Sequence, residues 1–532
     1  MQRRQFLLMT ASTLALPLVA GSGRGARAAA TTRVLKFVPQ ADLAILDPIG
    51  TTAYVTRNHA LMVYDTLFGV DEHYNPHPQM LESAVVEKDG KLWRLTLRTG
   101  LQFHDGEPVL GKDVVASINR WGKRDIYGGA LMAVVDELVA TSDRVVEFRL
   151  SKPFPQLPNV LGKPLSYLPA IMPERLAKTD PTKQVSEIIG SGPYKFVADE
   201  RNPGALNVYE KFVGYTPRAE TPSYTSGAKI ANFDRVEWHT LPDPATAAAA
   251  LQAGEVDWWE QPTSDLVPLL RSKSNIRVEV TDPAGYCGLL RFNHLQPPFN
   301  NPAIRRAILG AVVQSDYMLG VVGDDRTLWR DHIGFFQPDS SMASNVGVDV
   351  FPTTKPDYGK VKAALQAAGY KNERVVMLAT ADFPVINIMC QIAADMLQKI
   401  GMKVDYQAQD WATVSTRMQS KEPLDKGGWS VTCNFTSGIG LYNPAAHTWL
   451  RSNGLKAFAG WPNIPEIEKL RLEWFDAPDL AAQQAICRQI QKVAFDQVPY
   501  IPLGFYYQPT AFRSNISGIL KGVPMFYNVK RT

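Results

Sequence analysis

The sequence predicts an α/β fold spread over several domain-sized units. Three observations carry this. Strand-like and helix-like patterns alternate along the chain instead of segregating, as in "FDRVEWHTLPDPATAAAALQAGEVDWWE". One strand pattern keeps a strict two-residue period, "KLWRLTLR" at 91–98, where Trp93, Leu95 and Leu97 share one face. Finally, 532 residues with 45% hydrophobic content exceed one simple core, and length alone suggests roughly three or four units.

The first thirty residues stand apart. "MQRRQFLLMTASTLALPLVAGSGRGARAAA" runs from Arg3 and Arg4 through an apolar stretch at 6–20 to the small-residue run "ARAAA". That order is an export signal, and "RRQFL" matches the twin-arginine pattern. A buried N-terminal helix is the competing reading; the charged and small-residue flanks favour export. The apolar stretch is shorter than the roughly 20 residues that span a bilayer. No lipid-acceptor cysteine follows, so the expectation is a free soluble protein. The segment holds four arginines and no acid, so the formal net charge of +4 falls to about zero without it. No basic stripe argues for nucleic acid, and no Lys-rich face for a membrane surface.

Next come the elements in order. "RVLKFVP" at 33–39 and "KLWRLTLR" read as strands. "LQFHDGEPVLGKDVVASINRW" at 101–121 places His104, Asp105 and Glu107 at a Gly turn, which invites a catalytic reading. The structural reading is better: Asp105-Gly106 is a turn pair, Glu107 precedes Pro108 in an extended link, and His104 takes the outward phase of a strand. Gly111 then opens a helix whose Val114, Val115, Ile118 and Trp121 recur at helical spacing, with Asp113 suited to its first turn. Strands are expected at 142–150, 190–197 and 233–244, then a helix ending at Gly254, and a strand at "VDWWE". A second α/β region follows. "YCGLLRFNH" is a strand, and Asn301 caps a helix with Pro302 at its first position. Later come "DYGKVKAALQAAGY" (helix), "RVVMLAT" (strand), "INIMCQIAADMLQKIG" (helix), "MKVDYQAQ" (strand), "DLAAQQAICRQIQKVAFDQ" (helix) and the apolar, strand-like "YIPLGFYYQPTAF".

Enzyme signatures are weak. Ser226 and Lys229 in "SGAK" fit the SxxK form of serine acylases, but the partner KTG box is absent. His73 and His77 are four apart, yet Pro76 forbids the helix that would align them. The eight histidines are scattered, and none of Cys287, Cys390, Cys433 and Cys487 forms a CxxC pair. An exported chain permits disulfides, and the sequence alone pairs none of them; Cys390 and Cys487 read as buried thiols.

The run "WRLTLRTGLQFHDGEPVLGKDVVASINR" resembles the signature of bacterial extracellular solute-binding proteins of family 5, the peptide, nickel and related binding components of ABC importers. "LDP" at 46–48, "YDTLFGVD", "GSGPYKF", "LQAGEVD", "RFNHLQPPFNNPAIRRAI", "AALQAAGY" and "VPYIPL" follow that family's order over nearly the whole chain after the signal. The resemblance implies a two-lobed periplasmic-binding-protein fold, a Venus flytrap, with an extra α/β subdomain on the first lobe. Residues 1–30 would be the signal peptide and 31–66, 190–284 and 500–532 lobe I. The extra subdomain would be 67–189, carrying "HDGEP" away from the ligand, and lobe II would be 285–499. It further implies a monomer in the periplasm that captures a small or peptide-like solute by hinge closure, presents it to an inner-membrane permease, and uses no cofactor or catalysis. A nickel-type metal or chelate binder of the same fold is the alternative, and a serine acylase a remote one.

The resemblance also places the ligand. The segment 426–449 matches the family's ligand-contacting strand and loop, where peptide binders hold the α-amino group with an Asp. This segment has no Asp or Glu, and Asn434 is its nearest polar candidate. A neutral hydrogen bond is about half as strong as a charge-assisted one, so blocked peptides, opine-like conjugates and carbohydrates come into view. The aromatic candidates for the cleft are Tyr54, Trp121, Tyr286, Trp411, Trp429, Phe435 and Tyr442, with Trp411 and Trp429 favoured by family position. Arg291 would either meet a ligand carboxylate or pair with an acid. A Cys287–Cys433 disulfide is implied by the family's oligopeptide pattern.

Overall fold

The computed structural model describes residues 33–532, so the expected export signal lies outside the described residues. Three sheets organise the described chain. The first has seven strands, ordered Ile276–Glu279, Thr510–Arg513, Trp258–Trp259, Val34–Val38, Arg235–His239, Leu206–Lys211 and Tyr194–Phe196. The second has six: Trp329–Arg330, Tyr500–Tyr506, Tyr286–Phe292, Val431–Ser437, Arg374–Thr380 and Lys403–Gln409. A four-stranded antiparallel sheet, Leu81–Glu87, Leu92–Leu97, Val145–Leu150 and Val135–Ala140, forms between two visits of the chain to the first sheet.

Local chemistry explains the elements read from sequence. Pro302–Leu309 is a helix whose Asn301 side chain accepts the Ala303 N–H at 2.9 Å. Helix Pro244–Ala253 stops at Gly254, which sits at φ 80°, a conformation glycine adopts without penalty. Val375, Val376, Met377 and Leu378 are all buried because their parallel strand is covered on both faces.

The chain's crossings set the architecture. After Ile276–Glu279 it leaves the first sheet and enters the second at Tyr286, and it returns late. Here the sheets depart from the boundary expected at residue 500. Tyr500–Tyr506 pairs with Tyr286–Phe292 in the second sheet, and the chain rejoins the first only at Thr510–Arg513. The reason is physical: all seven residues of Tyr500–Tyr506 are buried, so no polar face marks which sheet the strand joins.

The four-stranded subdomain docks on both halves. Toward the first half, Arg120 forms a buried bidentate pair with Asp47 at 2.7 and 3.1 Å. Toward the second half, the Phe154 ring stacks on Phe475 with centroids 5.8 Å apart, and Lys152 pairs with Asp476 at 2.7 Å. The "GSGPYKF" motif gains a reason as well. Cβ atoms on Gly190 and Gly192 would lie 2.0 and 2.4 Å from the carbonyls of Val63 and Met62, so the loop can lie there only with glycine.

Candidate functional site

A cavity of about 760 Å³ opens where the subdomain and both halves meet. The first half contributes Gln40 and 50–55, the start of the helix Tyr54–Val63. The subdomain contributes 124–127 and 163–167, and the second half Phe383, Trp411, Asn434–Thr436 and 456–459. The volume lies within the roughly 300–1,000 Å³ typical of small-ligand sites. A second depression, of about 660 Å³, lies wholly in the subdomain between helices Gly111–Trp121 and Glu174–Ala177. Its Arg120 is already spent on Asp47, so the cavity shared by three bodies is the candidate site.

Aromatic rings build one wall. Tyr54, Phe435, Phe383 and Trp411 form a chain with successive centroids 5.9, 5.6 and 5.7 Å apart. Tyr54 also joins the halves: the Ser437 N–H donates to its hydroxyl at 2.6 Å, and that hydroxyl lies 3.5 Å from Thr436 Oγ1. Burial raises the Tyr54 pKa and keeps the hydroxyl protonated. Asn434 Oδ1 accepts the Phe435 N–H at 2.8 Å, while its NH₂ makes no protein hydrogen bond among the described residues.

The other candidates lie elsewhere. Tyr286 sits behind Tyr54 and Phe435, stacked on Tyr506 at 5.6 Å, and Tyr442 packs on Tyr74 at 4.8 Å. Trp429 is core: its indole donates to the Met418 carbonyl at 3.1 Å and its ring faces Trp461. Trp121 is core too, but it touches the site indirectly, because its indole N–H holds the carbonyl of the wall residue Tyr167 at 2.7 Å. Arg291 meets neither a cavity nor an acid. Fully buried, it donates to the carbonyls of Ala459, Trp449, Pro499 and Phe458 at 2.7–3.1 Å, tying loops to the strand. Desolvation lowers its pKa to about 9, which still leaves it charged at neutral pH.

The expected Cys287–Cys433 disulfide is absent. Both thiols are free, and the register explains it: Cys287 pairs with Thr436 and Cys433 with Leu290, three positions apart. An odd offset puts the side chains on opposite faces of the sheet. Cys433 instead shares its side with Cys390, whose thiol contacts it.

The enzyme-like motifs dissolve into structure. Lys229 is a buried partner of Asp65 at 2.7 Å, and Ser226 Oγ donates to the Ser223 carbonyl, so no nucleophile–base pair forms. His104 is not outward-facing. Its ring sits 3.0 Å from the Gly192 carbonyl, and burial lowers its pKa to about 4. Asp105 pairs with Arg175 at 3.0 Å. Among the described residues no three His, Cys, Asp or Glu side chains gather as a metal site.

A model of the bacterial extracellular solute-binding proteins, family 5 (middle), matches residues 75–445. This chain belongs to that family. A probable peptide ABC transporter periplasmic-binding protein of Sinorhizobium fredii is 36% identical over 499 residues, 92% of each chain. The glutathione-binding protein GsiB of Pectobacterium atrosepticum is 24% identical over 478 residues, 86% of this chain and 85% of its own. Among solved structures, the periplasmic binding protein DppA of Helicobacter pylori with peptide STSA superposes with a TM-score of 0.79 at 21% identity, covering 94% of this chain and 98% of that one. AgaA of A. tumefaciens R10 with agropinic acid gives 0.79 at 21%, covering 94% and 99%. Family 5 binders of this shape share the two-lobed α/β fold, and this chain has it.

Sequence reasoning missed the subdomain's share of the wall: Arg124, Asp125, Tyr127, Lys163 and Tyr167. It also missed Phe383 and Arg451. Their stretches carry no motif, and only the docking of the subdomain brings them to the cleft. One local signal existed. "SYLP" puts Tyr167 in a Pro-rich loop, and there it takes φ 54°, rare for a bulky residue and common at functional sites.

Proposed function

We propose that this protein is the periplasmic component of an ABC importer and captures a peptide-like or otherwise amphipathic small solute between its halves. The observation that carries the reading is the cavity itself: residues of both halves and of the subdomain wall it, with a continuous aromatic surface on one side and polar and charged groups set around the rest. A solute touching all three binds the closed arrangement better than an open one, so binding shifts the population toward closure. The closed shape is then what a permease reads. The chemistry makes and breaks no bond. The Sinorhizobium relative's name supports a peptide-like cargo and an ABC partner. The residues proposed to touch the solute are Tyr54, Trp411, Asn434 and Phe435, joined by Phe383, Arg124 and Tyr167.

The test is native mass spectrometry of protein purified from its own periplasm. A non-covalent adduct of constant mass, released on unfolding and unchanged after long incubation, is the expected result. A covalent adduct, or turnover of the released compound on re-addition, refutes the reading. Re-addition should also raise the unfolding free energy by about 2.7 kcal/mol at a hundredfold excess over Kd.

A further inference from the structure

The loop "KPLSYLPA" at 163–170 brings Tyr167 to the cavity wall between two prolines. Tyr167 takes φ 54°. That left-handed backbone presses Cβ toward the following carbonyl oxygen, so a bulky side chain disfavours it, while glycine adopts it freely. The loop does not reach this shape by local preference, and contacts from outside Tyr167 must hold it.

Those contacts are present. The Trp121 indole N–H donates to the Tyr167 carbonyl at 2.7 Å. Lys163 Nζ donates to the Ser166 carbonyl at 2.8 Å. Ser166 Oγ donates to the Thr52 carbonyl at 2.6 Å, which ties the loop to the first half. The Arg124 guanidinium lies 5.5 Å over the Tyr167 ring.

The donors are themselves fixed. Trp121 ends the helix Gly111–Trp121 and is 1% exposed. A Cβ on Gly128 would lie 2.8 Å from its ring, so the helix Ile126–Met132 can pack there only through glycine. Asp125 caps that helix by accepting the Gly128 N–H at 2.7 Å, and it pairs with the buried Lys163 at 2.5 Å. One connected set of buried groups thus runs from the subdomain's helices to the carbonyls of Ser166 and Tyr167. Backbone strain that the surroundings over-determine in this way clusters where a side chain is presented to a ligand.

We propose that Trp121 and Ser166 are positioning residues for solute capture: they hold Tyr167 in its left-handed conformation and so set its ring as the subdomain's contact with the solute. Their effect on affinity passes through Tyr167. This rests on the solute-capture reading above, and it gives the subdomain a direct share in recognition.

The probe is the compound released on unfolding native full-length protein, titrated calorimetrically into stripped wild type and variants. Tyr167→Ala should weaken binding about tenfold through loss of the ring's contact. Trp121→Phe and Ser166→Ala each remove one hydrogen bond from the loop and should each weaken binding about fivefold. Combined with Tyr167→Ala, neither should add more than about twofold, because the ring they position is gone. Hydrogen exchange at 163–170 should quicken in both single variants. Trp238→Phe alters a buried core indole that has no hydrogen-bond partner, and it should bind as wild type. A purely structural Trp121 would lower the urea midpoint and leave affinity unchanged, which overturns the proposal. So do losses that multiply with that of Tyr167→Ala, or a Tyr167→Ala variant that binds as wild type. Each of these leaves solute capture standing. If Trp121→Phe fails to fold, the half-buried Ser166→Ala decides by the same cycle. Protein that carries no compound, and that binds neither Ala-Ala-Ala nor N-acetyl-Ala-Phe, overturns capture and this proposal together.

Discussion

Tyr54→Phe removes one oxygen atom at a place where, among the described residues, the helix Tyr54–Val63 bonds the backbone of the second sheet through a side chain. The ring stays, with its contacts to Phe435 at 5.9 Å and to the Arg57 guanidinium at 4.5 Å. What goes is the acceptor for the Ser437 N–H at 2.6 Å. In the closed arrangement that N–H is then buried without a partner, at a cost of about 1–3 kcal/mol. In an open arrangement the same N–H meets water and the cost vanishes. The penalty therefore falls on closure, and apparent affinity drops by the factor by which the closed population drops. At 1.4 kcal/mol per tenfold, the range is roughly 5- to 150-fold, and we expect about tenfold. Calorimetric titration of wild type and variant with the compound released from native protein measures it. Small-angle scattering of the saturated variant should match wild type, since ligand in excess restores closure. Affinity within twofold of wild type refutes the reasoning. So does a lowered urea midpoint with affinity unchanged, because the bond would then stabilise the fold and not the closed state.

Further outcomes follow from buried groups. Burial raises the Asp282 carboxyl from 3.8 to about 6, with Arg57 partly opposing it. A raised carboxyl favours the fold at low pH, and that advantage is lost as pH climbs from about 4 through 6, costing at most about 3 kcal/mol. Asp282→Asn keeps the acceptor for the Ala284 N–H, so the variant should be the more stable above pH 7 and equal to wild type below pH 4 in urea titrations. A difference that does not vary with pH would contradict this. Glu260, raised to about 7 by burial, should leave a residual decline of the same sign. Lys229→Met strands Asp65 beside the Tyr215 hydroxyl and should cost about 3–5 kcal/mol, read as a lowered urea midpoint; a cost under 1 kcal/mol would mean the pair is not desolvated. Alkylation of denatured, unreduced protein should label all four cysteines; a missing pair of labels restored by Cys287→Ser would revive the Cys287–Cys433 bridge.

Much of the fold was legible in the sequence because short-range rules acted alone. Asn301 and Pro302 start a helix by satisfying or lacking N–H groups, and Gly254 stops one by its left-handed φ. The alternation of Trp93, Leu95 and Leu97 marks a strand with one wet face. Other strands escaped notice. Leu81–Glu87 has both faces partly exposed, and Val135–Ala140 mixes acids with small apolar residues, so neither shows a clean period.

The site divides along the same line. Local pattern, with the family resemblance, pointed to Tyr54, Trp411, Asn434 and Phe435, which the structure sets on the cavity wall. It could not separate them from Trp121 and Trp429, because an aromatic side chain meets core or cleft according to what packs above it. Arg291 reads as a ligand clamp or an acid's partner in one dimension and is a knot of backbone carbonyls in three. The cysteine pairing turned on strand register, which a single residue's shift reverses.

The sequence by itself determined the alternating α/β elements, their caps and stops, and the absence of an acid in 426–449. Those properties are set by neighbours within a few residues. Only the tertiary structure decided that Asp125 is consumed by Lys163, that Arg124 lies over the Tyr167 ring at the cavity, and that Tyr54 reaches Ser437. Tyr54 and Ser437 lie 383 residues apart in sequence, so only the docking of one body on another brings them together.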